Sequence, residues 1–217
     1  MMKHCDYKGY SFWCGDVGMM TPKQYMKMID LLEETKPKRI CELGSGQSTE
    51  IFETYQKYNK YISVFSIEHD KYFRTHKSVV MIPLKENTSF NGYEKCTVYD
   101  GFEKWIEEQN KFDFVLIDGP NDTLPKNEHN LIYSRIQMLS FLLNDKLSDN
   151  AVIMYHDSNT EEAKNTLNEF ERLLEKKNIS YEKETILEDD KETVERNLNI
   201  LEMCPELVIY KIKMSNP

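Results

Sequence analysis

Short apolar runs alternate with amphipathic stretches along most of the chain. Residues 21–35 (TPKQYMKMIDLLEET) predict a helix, because Thr21 is placed to cap it, Pro22 stands at its first position and the apolar residues recur on one face. Similar patterns predict helices at 47–58, 70–77, 134–145 and about 160–177. Strands are predicted at 39–43, 61–68, 112–118, 151–157, 179–187 and 205–213.

Two of the predicted strands are apolar without alternation. Their segments FVLI and AVIM have no polar face, which is typical of strands covered on both sides. Together with the helices between the strands, this predicts an α/β fold in which helices cover a mostly parallel sheet. The third strand stays undecided between 78–84 and 95–99, and residues 85–94 are a candidate inserted hairpin.

Polar residues stand where the predicted strands end. In a parallel sheet with right-handed crossovers, these ends lie along one edge, where ligands bind. Glu42, Glu68, Asp118, His156 and Asp157 occupy such positions. We therefore expect the functional site at this edge.

Composition narrows the class of protein. The 217 residues suffice for one domain, and no apolar run is long enough to cross a membrane. The N-terminus lacks the apolar segment of a signal peptide. Five scattered cysteines without C-x-x-C spacing predict neither a zinc knuckle nor a disulfide framework, so a cytoplasmic location is expected. The net charge of −9 argues against nucleic acid as a partner.

The turn GSGQST after the 39–43 strand carries the clearest motif. Its glycines allow a ligand to approach the backbone, and the following helix offers free N–H groups. Glu68 comes 24 residues after Gly44, the spacing at which an acid accepts ribose hydroxyls in nucleoside-binding folds. Thr49 stands where a dinucleotide site needs a small residue, and Glu42 would repel a pyrophosphate. The turn favours a nucleoside with a cationic group.

The segments ICELGSGQST, VFSIEHD, FDFVLIDGP and VIMYHDS resemble the successive motifs of class I S-adenosylmethionine-dependent methyltransferases, and most of all a small bacterial O-methyltransferase-like branch. The resemblance covers about residues 20–160. It implies a Rossmann-like fold with a seven-stranded, mostly parallel sheet of order 3-2-1-4-5-7-6, strand 7 antiparallel. It also implies a single methyltransferase domain over 1–217, with 1–36 as an N-terminal lid and helix and 37–217 as the core.

By this resemblance the cofactor is S-adenosylmethionine. Glu42 would attract its cationic methionine end, Ser48 and Thr49 would lie near its carboxylate, and Glu68 would hold the ribose. The adenine would lie near residues 83–84 or 100–102. The predicted cofactor-binding residues are Glu42, Gly44, Ser45, Gly46, Ser48, Thr49, Glu68, His69, Asp100 and Asp118.

The predicted catalytic residues are Asp118, His156 and Asp157. The N/D-P-P-Y motif of relatives that methylate amides and amines is missing, which favours an oxygen acceptor. His156 is the candidate general base, because histidine titrates nearest to neutral pH. Some relatives instead bind Mg²⁺ through an acid after strand 4 and an Asp-Asn pair after strand 5. Asp118, Asp157 and Asn159 would be the ligands here, but Ser158 stands where Asn is expected, so Mg²⁺ is doubtful.

The sequence leaves the acceptor pocket open. Trp13 either stacks on a sugar or ring or packs against the sheet, and Arg135 either binds an anionic acceptor or lies at the surface. We expect O-methylation of a small molecule or carbohydrate, without nucleic acid or membrane partners; a homodimer is left open. The alternatives are an NAD(P)-dependent oxidoreductase and a non-catalytic nucleoside-binding protein on the same fold.

Overall fold

The computed structural model describes residues 3–14, 19–74, 76, 78–120, 131–187 and 205–214. In chain order its elements are β1 (Lys3–Tyr7), β2 (Tyr10–Cys14), α1 (Pro22–Thr35), β3 (Arg39–Leu43), α2 (Gln47–Tyr58), β4 (Ser63–Glu68), β5 (Val80–Met81), β6 (Leu84–Phe90), β7 (Tyr93–Tyr99), α3 (Phe102–Glu107), β8 (Phe112–Ile117), α4 (Met138–Leu143), β9 (Leu147–His156), α5 (Glu161–Lys176), β10 (Ser180–Leu187) and β11 (Glu206–Lys213).

Seven strands form a central sheet in the order β10-β11-β9-β8-β3-β4-β5. β11 runs antiparallel to both of its neighbours, and the other adjacent pairs are parallel. Numbered from β3 as strand 1 of the core, this is the order 3-2-1-4-5-7-6 with strand 7 antiparallel. The predicted fold is confirmed.

The third strand of the core is β5, within the first of the two candidate segments. It pairs with the end of β4, Ile67 with Val80 and Glu68 with Met81. Residues 95–99 belong instead to β7, which pairs with β6 as a separate hairpin. Asn91 and Gly92 at its tip both have left-handed backbones, with φ 47° and 88°, as a tight two-residue hairpin turn requires.

Both faces of the sheet are covered, as the non-alternating strands predict. Along β8, Val115 and Ile117 pack into the core cluster that contains α3, α4 and α5, whereas Phe114 and Leu116 pack into the cluster that contains α1 and α2. The β1–β2 hairpin joins the second cluster through Tyr10, Phe12 and Cys14. The N-terminal segment is thus part of a core, and its function as a lid stays a prediction.

Two predicted helices differ from the structure. The described residues of 70–77 form turns, because Asp70 Oδ1 accepts from the Tyr72 N–H at 2.9 Å and the aromatic side chains there stay exposed instead of forming a buried face. The helix predicted at 134–145 is confined to α4, because Arg135 has a left-handed backbone (φ 51°) that interrupts a helix.

The described residues contain a disulfide that the cysteine pattern did not indicate. Cys5 and Cys14 are bonded across the β1–β2 hairpin, which brings residues nine apart in sequence together. A tight hairpin cannot be inferred from cysteine spacing, and the cytoplasmic expectation had rested on that spacing. Among the described residues no helix is long and apolar enough to span a membrane.

Candidate functional site

The carboxyl ends of β3, β4, β8 and β9 meet at one edge of the sheet. Glu42 is the penultimate residue of β3, Glu68 ends β4 and His156 ends β9. Asp118 and Asp157 follow the last residues of β8 and β9. The polar residues predicted from strand ends are therefore brought together at this edge.

Glu42 is fully buried and is held by hydroxyl groups of α2. Ser48 donates to its Oε1, and Thr49 Oγ1 donates to its Oε2 at 2.7 Å. Burial raises the pKa of Glu42 to about 7, against the effect of these hydrogen bonds and with a further contribution from the charge of Asp118. No ion pair of Glu42 with a basic side chain is found in the described part of the chain. A cationic ligand would favour its ionised form.

The two glycines of the turn differ in what they do. Gly44 has φ +90°, and a Cβ there would lie 2.7 Å from the backbone carbon of Asp118 and from the nitrogen of Gly119. Gly44 therefore allows the ends of β3 and β8 to touch. Gly46 has an extended φ of 177°, and a Cβ there would meet no atom within 4 Å. Its lack of a side chain keeps space open beside the N-terminus of α2.

Glu68 ties the glycine turn to the end of β4. Its Oε2 accepts from the Ser45 N–H at 2.8 Å, and its Oε1 accepts from the N–H groups of His69 and Asp70 at 2.7 and 2.9 Å. Ser45 Oγ lies 3.3 Å from Oε2 and also donates to the Phe73 carbonyl. A ribose hydroxyl that bonds to Glu68 must therefore displace the Ser45 hydroxyl or share its acceptor. Glu68 is buried and is therefore not a surface acid.

Tyr99 is a residue of this site that the sequence did not point to. It ends β7, its ring lies 6.2 Å from that of His69, and its buried hydroxyl has no hydrogen-bond partner among the described residues. Burial raises the pKa of Tyr99 well above its ordinary value, and the charge of Glu68 adds to the shift, so the hydroxyl stays a donor. The next residue, Asp100, is exposed. Buried donors in folded proteins bond to protein, water or a ligand, so this hydroxyl is available to either of the last two.

Asp118, His156 and Asp157 converge as predicted. His156 Nδ1 lies 2.9 Å from Asp118 Oδ1 and 3.4 Å from Asp157 Oδ2. The His156 side chain is fully buried, whereas those of Asp118 and Asp157 are 26% and 23% exposed. The two carboxylates are therefore the members of this group that a substrate can reach.

Asp118 and His156 shift each other's pKa. Burial opposes the lowering of the Asp118 pKa, but His156 and Arg135 outweigh it and hold that pKa below its ordinary value. Burial likewise opposes the raising of the His156 pKa, but Asp157 and Asp118 outweigh it. A raised pKa favours the protonated imidazole, which disfavours His156 as a base and suits it to supporting Asp118.

Arg135 completes the cluster from the irregular segment before α4. Its Nη2 donates to Asp157 Oδ2 at 3.0 Å and lies 3.6 Å from Asp118 Oδ1, and its Nη1 donates to the His156 carbonyl. The guanidinium carbon lies 5.8 Å from the centre of the Tyr155 ring. Of the two positions left open for Arg135, the surface is wrong, because the residue is 6% exposed. Nothing in its sequence context predicts this burial.

No family model matches the sequence, and no curated protein matches it. Solved structures do match. The O-methyltransferase from Bacillus cereus in complex with SAH has a TM-score of 0.56 at 11% identity, over 92% of this chain and 84% of that one. The O-methyltransferase TomG from Streptomyces achromogenes, involved in tomaymycin synthesis, has a TM-score of 0.55 at 8% identity, over 90% and 82%. The chain has the class I methyltransferase fold.

Similarity within this methyltransferase fold does not select an acceptor. A candidate rRNA methylase from Clostridium thermocellum also matches, with a TM-score of 0.50 at 12% identity over 89% of this chain and 100% of that one. At such identities the comparison shows a shared fold and nothing about the side chains of the site. The acceptor must be inferred from the chemistry of the strand ends.

The Mg²⁺ ligands implied by the resemblance can be tested against the geometry of this methyltransferase fold. Ligand atoms of Asp118, His156 and Asp157 lie within 4.8 Å of one another. However, the Arg135 guanidinium contacts both carboxylates, and Ser158 Oγ donates to Glu206 at 2.8 Å. Two like unit charges 4 Å apart near a protein surface repel each other by about 4 kcal/mol. A divalent cation at that distance from the Arg135 guanidinium would be repelled by about twice as much. With Arg135 in place, the residues do not fit a divalent cation.

Proposed function

We propose that the protein is an S-adenosylmethionine-dependent methyltransferase that acts on an oxygen of a small molecule or carbohydrate. The observation that carries this proposal is the pair of buried acids on either side of the glycine turn. Glu42 has no basic partner in the described residues, and Glu68 stands at the end of the neighbouring strand. A ligand with a cationic end and a ribose has the chemistry that matches both.

The residues around the turn support binding of that ligand in separate ways. The Glu42 carboxylate would attract the ammonium or sulfonium, directly or through water. Gly46 leaves space beside the turn, and the unsatisfied Tyr99 hydroxyl would donate to an acceptor atom of the nucleoside. Ser48 and Thr49 already donate to Glu42, so we assign them to holding that carboxylate in place. His69 and Asp100 stay predicted contacts.

When bound, S-adenosylmethionine supplies an electrophilic methyl group, and the protein must align an acceptor with it. The exposed oxygens of Asp118 and Asp157 would accept hydrogen bonds from acceptor hydroxyls. Asp118 would take the proton that the acceptor oxygen loses, while His156 and Arg135 hold the two carboxylates from the buried side. His156 stays a candidate base, with its burial and raised pKa against a direct role.

The net charge of −9 favours a small acceptor over RNA, because a nucleic acid would meet repulsion instead of releasing counterions. Carboxylates that accept from hydroxyls suit a sugar, a diol or a phenol. No specific observation favours an NAD(P)-dependent oxidoreductase or a non-catalytic nucleoside-binding protein, and the experiment below separates these.

A thermal-shift panel with S-adenosylmethionine, S-adenosylhomocysteine, NAD and NADP tests the proposal. A ligand at about 100 times its dissociation constant stabilises a protein by roughly 2.7 kcal/mol. We expect both sulfur-containing ligands to raise the melting temperature and both dinucleotides to leave it unchanged. A shift with NAD alone would support the oxidoreductase, and no shift with any ligand would contradict every nucleoside function considered.

A further inference from the structure

Arg135 places its positive charge between the carboxylates of Asp118 and Asp157. Its Nη2 lies 3.0 Å from Asp157 Oδ2 and 3.6 Å from Asp118 Oδ1. These are the two carboxylates that would ligate a divalent cation if one were bound, and both side chains are partly exposed. One nitrogen of the guanidinium therefore contacts both acids at once.

The guanidinium is fixed in this position. Nη1 donates to the His156 carbonyl, the Tyr155 ring lies against it, and the side chain is buried. Arg135 and Asp157 both have left-handed backbones, with φ 51° and 55°. Non-glycine residues adopt this conformation at a cost, which is typical of functional sites where the surroundings determine the geometry. Two such residues joined by an ion pair indicate a built arrangement.

We propose that the Arg135 guanidinium is a built-in replacement for a divalent cation, so that this chain holds its acceptor-binding carboxylates without metal. Arg135 is then a positioning residue that acts through Asp118 and Asp157. A planar guanidinium suits this role, because it can bond to a carboxylate and a carbonyl in fixed directions. The replacement itself depends only on the contacts given above, whereas its part in catalysis rests on the proposed function.

The replacement has a chemical consequence. A guanidinium fixes and neutralises carboxylates, but it does not acidify a hydroxyl bound to it as a metal ion does. During methyl transfer the acceptor oxygen forms a bond to the methyl carbon, the carbon–sulfur bond breaks and its electron pair stays on sulfur. The proton of the hydroxyl then passes to one of the two reachable carboxylates, Asp118 and Asp157, and the proposed function assigns it to Asp118.

Binding of Mn²⁺, followed by electron paramagnetic resonance without any other ligand, tests the replacement directly. We expect no binding to the wild-type cluster up to millimolar Mn²⁺. Arg135→Gln leaves two carboxylates without their cation, and it should bind Mn²⁺ at least about tenfold more tightly. Asp157→Asn in the Arg135→Gln background should remove the gained site. Arg172→Gln is the matched control, because it removes the same charge from an exposed ion pair with Glu169.

Two results would overturn the proposal. One is Mn²⁺ binding by the wild type that Asp157→Asn abolishes; the other is a folded Arg135→Gln variant, checked by circular dichroism, that gains no binding. If that variant does not fold, the wild-type enzyme still decides the matter. We expect its activity to persist in a chelator, and loss of activity that Mg²⁺ restores would contradict the replacement. Because the Mn²⁺ measurement contains no S-adenosylmethionine, its failure leaves the proposed function untouched.

Discussion

The acids in the two halves of the site have opposite surroundings. On the β3–β4 side, Glu42 is surrounded by hydroxyl donors, and burial raises its pKa to about 7. On the β8–β9 side, Asp118 is paired with His156 and Arg135, which lower its pKa in spite of burial. Hydroxyl groups orient a carboxylate without cancelling its charge, whereas cationic side chains do both.

Under the proposed function, this difference would match the two halves to different ligands. The Glu42 side gains most from a cation that arrives with the ligand, as the methionine end of S-adenosylmethionine would. The Asp118 side already contains its cations, so it suits a neutral acceptor that offers hydroxyl groups. Gly44 joins the halves, because only its missing side chain lets the backbone of β3 lie against Asp118. The experiments below test this division, beginning with the largest expected effect.

Replacing Asp118 should lower turnover and leave cofactor binding intact. Asp118→Asn keeps the shape of the side chain but cannot take a proton, so turnover should fall by roughly 10²–10⁴. The readout is S-adenosylhomocysteine release with a panel of phenols and sugars, with affinity measured by calorimetry. If affinity falls as much as turnover does, the two halves are not separate sites. Full activity would mean that alignment alone carries the reaction.

A side chain at Gly44 should force apart the ends of β3 and β8, which lie in contact there. Gly44 has φ +90°, and Gly44→Ala places a Cβ against the backbone of Asp118. We therefore expect the free energy of unfolding to fall by about 3 kcal/mol. Gly46→Ala is the matched control: its Cβ meets open space, and stability should change by less than about 1 kcal/mol. Chemical denaturation measures both. Equal effects of the two substitutions would contradict the close contact between β3 and β8.

Glu68, which is proposed to hold the ribose, should be tested with a substitution that keeps part of its structural bonds. Glu68→Ala would leave the N–H groups of Ser45, His69 and Asp70 unsatisfied, so it could weaken binding by loosening the turn. Glu68→Gln retains one acceptor oxygen and should weaken S-adenosylhomocysteine binding by roughly 1.5–3 kcal/mol. Asp70→Asn, which alters the exposed turn to Tyr72, is the control. Unchanged affinity by calorimetry would remove Glu68 from the binding site.

The raised pKa of Glu42 should appear as a pH dependence of stability. In the unfolded chain Glu42 releases its proton near pH 4.5, but in the folded protein near pH 7, so its contribution to stability is lost as pH rises between these values. Relative to wild type, Glu42→Gln should gain about 2 kcal/mol between pH 5 and pH 8. Denaturation at both pH values measures this. If the difference in stability between Glu42→Gln and wild type did not change with pH, the pKa of Glu42 would not be raised. The contrast between Glu42 and Asp118 would then be wrong.

The smallest effect concerns the unsatisfied Tyr99 hydroxyl. Tyr99→Phe removes a buried donor that has no partner in the described structure, so the free protein should gain about 1 kcal/mol of stability. The same variant should bind S-adenosylhomocysteine more weakly by a similar amount, because the ligand loses a donor. Thermal melts with and without ligand give both values. A loss of stability in the free protein would mean that the hydroxyl has a partner already.

The sequence by itself determined the sheet. Apolar runs without alternation and the acids at strand ends follow from local chemistry and from the periodicity of strands and helices, and they predict a mostly parallel sheet covered on both faces. The strand order, which the resemblance implied, is confirmed. The sequence also predicted which end of the strands carries the site, because parallel strands with right-handed crossovers leave little choice. These features depend on residues close together in the chain.

Only the tertiary structure decided how the acids are paired. Arg135 reaches Asp157 across 22 positions and Asp118 across 17, and Tyr99 approaches His69 from a separate hairpin. No periodicity records such contacts, because they depend on the path of irregular segments between strands. Glu42 and Asp118 are both acids at strand ends in the sequence. Burial raises the pKa of Glu42, whereas the cations that folding brings near Asp118 lower the pKa of that acid.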